Sequence, residues 1–134
     1  MDAKRKVVKW KDTTSASSFT VLGISSHEND YRLAWCLNKE LGFDFAQADE
    51  SFVTKEGYEF SRFEHYDDDD KTLTLISNRC ESGILLKKFK NLDYILRFDS
   101  ELDDAEKAEW LQKLRAVTLI SAVYEMPGIS IFDF

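Results

Sequence analysis

The sequence predicts an α+β domain, with a single mostly antiparallel sheet and two main helices packed on one face. Two observations carry this. Amphipathic segments near 26–41 and 103–116 each open with a Ser or Asp and a Glu three residues on, the spacing of a capping box. Around them run short apolar or alternating stretches of strand length, separated by turn residues. The 134 residues suit one domain over 1–134. Hydrophobic residues at 43% and aromatics at 13% exclude global disorder.

Taken in order, "KVVKWK" (6–11) reads as a short strand, 12–18 as a polar connection, and "FTVLGIS" (19–25) as a buried strand. Ser25 and Glu28 are at capping-box spacing, with Ser26 a rival cap, and Gly42 suits the left-handed position that closes a helix. Ala34, Leu37 and Leu41 share the inner face, flanked by Tyr31 and Leu33, with Trp35 further round and Cys36 outward. Residues 43–54 read as a loop with a short turn of helix. "YEFSRFEHY" (58–66) reads as a strand with a bulge near Ser61, where its alternation changes. Asp67–Asp70 makes a turn, and 71–77 returns as the hairpin partner.

Residues 83–88 and 92–98 read as two further strands. Asp103 and Glu106 box the second helix, with Ala108, Leu111 and Leu114 inward and Trp110 beside them. "VTLISAVYEM" (117–126) is apolar on both faces, as a central strand is. Pro127-Gly128 turns the chain into an edge strand over 129–134, expected to dock on the sheet or on a second chain.

The net charge is −7. Residues 1–11 hold five basic groups and one acid, so the remainder carries 13 basic against 24 acidic groups, a balance of −11. An acidic body repels phosphate backbones, which argues against nucleic-acid binding. No apolar run reaches the ~18 residues of a membrane span. Cys36 and Cys80 lack metal-type spacing and no secretory signal is visible, so a cytoplasmic protein with reduced thiols is expected. His27, Cys36, His65 and Cys80 are not spaced to require a metal site, the Asp67–Asp70 run reads as a solvated turn, and no glycine-rich phosphate loop occurs. No cofactor is expected.

"LGISSHENDYRLAW" (22–35) followed by "LNKELGF" (37–43), together with "LISNR" (75–79) and "NLDYILRF" (91–98), resembles the bacterial IPExxxVDY family. The likeness spans about residues 19 to 125. The family's Ile-Pro-Glu falls on Leu86, Lys87 and Lys88, while its Val-Asp-Tyr survives as Leu92, Asp93 and Tyr94. A role that rests on the family's proline or glutamate therefore does not carry over. The resemblance implies a cytoplasmic α+β domain and implies no reaction.

The polar residues of the opening helix are the first candidate site. On a helical wheel centred on Ala34, His27, Asp30 and Asn38 fall on the core side, while Arg32 points outward to pair with Glu28. An imidazole beside a carboxylate could move protons. The competing reading is structural: Asp30 neutralises the helix start, and His27 hydrogen-bonds a loop carbonyl. No nucleophile is tied to the pair by spacing, so the structural reading is favoured. Asn38 is expected to brace a neighbouring strand end. His27, Asp30, Tyr31 and Asn38 together form the candidate ligand or structural cluster. Aromatics supply the second candidate. Tyr58, Phe60, Phe63 and Tyr66 crowd one strand, and Phe132 and Phe134 end the chain. Tyr58, Phe60, Phe132 and Phe134 are the candidate interface. The expected function is a non-enzymatic protein-interaction domain, self-associating as a homodimer or binding another protein. The alternative is a small-molecule site or weak enzyme at the His27/Asp30 helix start.

Overall fold

The computed structural model describes residues 20–67, 70–81 and 83–126. Strand β1 (Thr20–Ser25) leads into helix α1 (Asp30–Leu41). Four strands follow: β2 (Ala46–Gln47), β3 (Phe52–Val53), β4 (Glu59–Phe60) and β5 (Arg62–Asp67). After them come β6 (Asp70–Ser77), β7 (Arg79–Cys80), β8 (Gly83–Ile84), a 3-10 turn (Lys87–Phe89), β9 (Tyr94–Phe98), α2 (Asp104–Arg115) and β10 (Ala122–Glu125). The main sheet has the order β10-β1-β9-β6-β5-β2, and every neighbouring pair is antiparallel. This is the α+β arrangement expected from the sequence. The expected strand over 6–11 and connection over 12–18 lie outside the described residues. So do the middle of the Asp67–Asp70 turn, Pro127-Gly128 and the C-terminal strand with Phe132 and Phe134.

The helices cover one face of the sheet. Leu22, Ile24, Phe63, Leu75, Leu96 and Val123 meet Leu33 and Leu37 of α1 and Leu114 of α2 in one core. Loops cover the other face. Phe60, Leu85, Leu86 and Leu92 pack there on Ile76 and Ile95, with Met126. Gly23 belongs to this second contact: a Cβ would come within 2.5 Å of a Leu92 methyl and 3.0 Å of the Met126 sulfur. The strand is bare at that point because the loop lies directly on it.

Several boundaries differ from expectation. Helix α1 begins at Asp30, and its cap is Asn29, whose Oδ1 accepts from the Arg32 N–H at 2.9 Å. Neither Ser25 nor Ser26 caps it. Ser25 Oγ donates to the Asn91 carbonyl (3.1 Å), and Ser26 Oγ donates to the Leu119 carbonyl (2.7 Å) while accepting from the Glu28 N–H. Cys36 is buried rather than outward, because the loop after α2 closes on that flank through Leu119 and Thr118. Gly42 closes α1 as expected, at φ 76°, with its N–H on the Asn38 carbonyl.

Residues 43–54 hold two short strands in place of a helical turn. The chain breaks at Ser61, where it leaves the β3–β4 pair and enters the main sheet. The register shift lies further on, between His65 and Tyr66. Residues 85–89 leave strand geometry because the Leu85 and Leu86 N–H groups turn onto Asn78 (2.8 and 2.7 Å). In α2 the capping box of Asp103 and Glu106 is present. Ala108 is exposed, and the inward stripe is Lys107, Trp110, Leu111 and Leu114. Residues 117–121 are a loop that buries Val117 and Ile120, and the remaining strand, β10, ends the described sheet instead of crossing its centre.

Candidate functional site

Three segments distant in sequence meet at one end of the sheet. Residue 24 of β1 and residue 77 of β6 both pair with Tyr94 of β9, so Ser25–His27, Asn78–Arg79 and Leu92–Tyr94 are neighbours. Asp93 is their hinge. Its Oδ2 accepts from the Ser26 N–H (2.9 Å) and its Oδ1 from Arg79 Nε (2.8 Å). Its backbone N–H donates to the Ile24 carbonyl, and its carbonyl accepts from the Asn78 N–H. Arg79 also donates to the Lys90 carbonyl.

Asn78 is fully buried. Its Nδ2 donates to the Phe89 carbonyl (3.1 Å) and the Leu92 carbonyl (2.9 Å), and its Oδ1 accepts from the Leu86 N–H (2.7 Å). A fully buried amide with both hydrogens donated to the backbone presents no surface to a ligand.

The Tyr94 hydroxyl donates to the Glu28 carbonyl and ties β9 to the approach to α1. Burial, helped by the charges of Asp30, Asp93 and Glu28, pushes its pKa from near 10 to about 12. A raised folded-state value leaves the native form intact below pH 10 and costs stability as pH climbs toward 12. Urea unfolding between pH 9 and pH 11.5 is expected to show this loss, on the order of 2 kcal/mol by the upper end of that range. Tyr94→Phe should flatten that part of the profile. An unchanged alkaline slope in Tyr94→Phe would assign the loss to other groups.

The first candidate cluster does not converge. His27 is exposed, and among the described residues no hydrogen bond holds it. The wheel that placed it inward does not reach it, since α1 starts three residues later. Asp30 accepts from the Tyr31 N–H within the first turn (2.7 Å). Tyr31 is 61% exposed, edge-on to Phe63 at 5.4 Å, with its hydroxyl on Gln47. Asn38 binds both backbone groups of Phe45, the carbonyl at 3.1 Å and the N–H at 2.7 Å, and so fixes the entry to β2. His27→Ala is therefore expected to change the unfolding free energy by no more than about 0.5 kcal/mol. A melting curve displaced by several degrees would restore a structural role to the imidazole.

The aromatic candidates also part company. Phe60 has no exposed surface and Tyr58 is half-buried beside it, both in the second core, so Phe60 offers nothing to a partner. Four aromatics are exposed among the described residues, Tyr31, Trp35 (57%), Tyr66 and Tyr124, and the two most exposed, Tyr31 and Trp35, share the outer side of α1. Lys39 Nζ stands 4.9 Å over the Trp35 ring. Their i,i+4 spacing off the apolar stripe is the signal in the sequence that marks this ridge.

Other reactive groups have structural partners. His65 Nδ1 accepts from the Asp44 N–H (2.9 Å), and its ring packs on Phe43 and Phe45. The Cys36 thiol donates to Glu40 (3.1 Å), and burial pushes its pKa up. That bond and the Thr118 N–H hold the Glu40 carboxyl low. On the second face Arg97 pairs with Asp99 at 3.0 Å. Among the described residues no group of His, Cys, Asp or Glu is arranged to hold a metal ion, and no helix is long and apolar enough to cross a membrane.

Comparison with protein-family models, curated proteins and solved structures gives no match to this chain.

Proposed function

We propose that this chain is a non-enzymatic protein-interaction domain whose working surface is the outer face of α1. The observation that carries the reading is the pair Tyr31 and Trp35, on one helix face and each more than half exposed. Aromatics of this kind are enriched at interface cores, where they bury large areas at little entropic cost. The polar residues most open to a catalytic reading are occupied by backbone groups at the sheet end, which supports binding over chemistry. The alternative site at His27 and Asp30 has less support, because His27 is exposed and the Asp30 carboxylate accepts from the Tyr31 N–H in its own helix turn. The resemblance to the IPExxxVDY family and a cytoplasmic location belong to the same proposal. The two free cysteines suit a reducing compartment.

The test compares wild type and Trp35→Glu as tagged baits in an extract of the source cells. Far-ultraviolet dichroism and the melting temperature should match, since Trp35 is exposed. Proteins held by wild type and absent from Trp35→Glu are the expected result. Identical retained sets would overturn the assignment of this surface.

A further inference from the structure

We propose that the occupant of the α1 ridge is a second copy of this chain, docked antiparallel about a two-fold axis beside Trp35. This rests on reading the outer face of α1 as an interaction surface. The argument is the self-complementarity of the ridge. A two-fold through Trp35 brings the residue four before it against the residue four after it on the other copy. Tyr31 then meets Lys39 of the second copy, and the reverse contact forms by symmetry. The ammonium that stands 4.9 Å over its own Trp35 ring would come to lie between two aromatic groups. A parallel pairing would instead set Lys39 beside Lys39 and align the two helix dipoles.

Charge does not oppose this contact. The chain carries −7 overall, but the ridge presents Arg32 and Lys39, and Arg32 is paired with the half-buried Glu28 at 3.2 Å. Lys39 is therefore the one unneutralised charge of this group, and the two-fold sets it against Tyr31 and not against its own copy. The end of the helix is open as well: nothing lies within 4 Å of where a Cβ on Gly42 would stand. One helix on another buries less than a standard interface, so the dimer is weak and concentration-dependent.

Sedimentation velocity of the full chain over a wide concentration range tests this. Wild type should shift from monomer to dimer with concentration. Trp35→Glu should raise the dissociation constant by at least about tenfold, since a central aromatic anchor is lost, with an unchanged melting temperature. Trp35→Cys should cross-link to itself under mild oxidation, because a residue on the axis meets its own copy. Gln112→Cys, exposed on α2, should not. Wild type that stays monomeric at every concentration overturns the second-copy inference. The extract comparison would still decide separately whether the ridge binds another protein. A dimer indifferent to Trp35→Glu, or equal cross-linking at residue 112, overturns it as well.

Discussion

Asn78→Ala is expected to lower the unfolding free energy by about 3–4 kcal/mol. The truncation strands two backbone groups at once, the carbonyl of Leu92 and the N–H of Leu86, and takes one of two donors from the Phe89 carbonyl, which keeps the Leu92 N–H at 3.0 Å. Each stranded buried group costs about 1–3 kcal/mol, and some relaxation or an entering water recovers part of the sum. Asn78→Asp is the sharper variant. It keeps the shape but turns a donor toward two carbonyl oxygens into an acceptor. A carboxylate there would be buried with oxygen facing oxygen, so the group must hold a proton to make even one of the lost bonds. Its folded-state pKa is therefore raised, and the variant should regain part of its stability as pH falls through that value. Urea unfolding at pH 7 and pH 5 reads both effects. An Asn78→Asp protein as stable as wild type at pH 7 would show that the amide hydrogens matter little.

The same residue shows why the sequence was legible in some places and not in others. Helix α2 was readable because both halves of its capping box lie three residues apart, and the hairpin of β5 and β6 because its partners are neighbours in sequence. The start of α1 was not, because what removes Ser25 and Ser26 as caps is Asn91 and Leu119, far along the chain. With the start displaced, His27 left the helix and its assigned face went with it. Residues 83–88 and 117–121 misled for a different reason. Burial makes a run apolar whether it pairs as a strand or lies as a loop over the sheet. Leu86 and Ile120 are buried without belonging to any ladder. Asn38 was readable as a brace because an amide beside an apolar face must find partners nearby, and Phe45 is seven residues away. Nothing local in "LISNR" reveals that the loop 85–92 folds back onto Asn78.

Phe60→Ala is expected to cost about 3–5 kcal/mol, the usual range for removing a buried aromatic. Phe60 has no exposed surface and packs with Ile76, Ile95, Leu85 and Leu86 on the face opposite the helices. It stands in β4, a strand of two residues, opposite Phe52 of β3. So short a ladder has little hold of its own, and the ring anchors it to the sheet. Most residues of that cluster are branched aliphatics, Ile76, Leu85, Leu86, Leu92 and Ile95, which collapse into a vacated volume only in part, so much of the cavity penalty should persist. Phe60→Leu keeps part of that volume and should lose less. If Phe60 instead formed part of a contact between chains, truncation would leave the monomer as stable as before and lower only the dimer fraction. Chemical unfolding at a concentration low enough to keep the chain monomeric separates the two cases. A large loss of stability there, with dimerisation still governed by Trp35, places Phe60 in the core and the interface on α1.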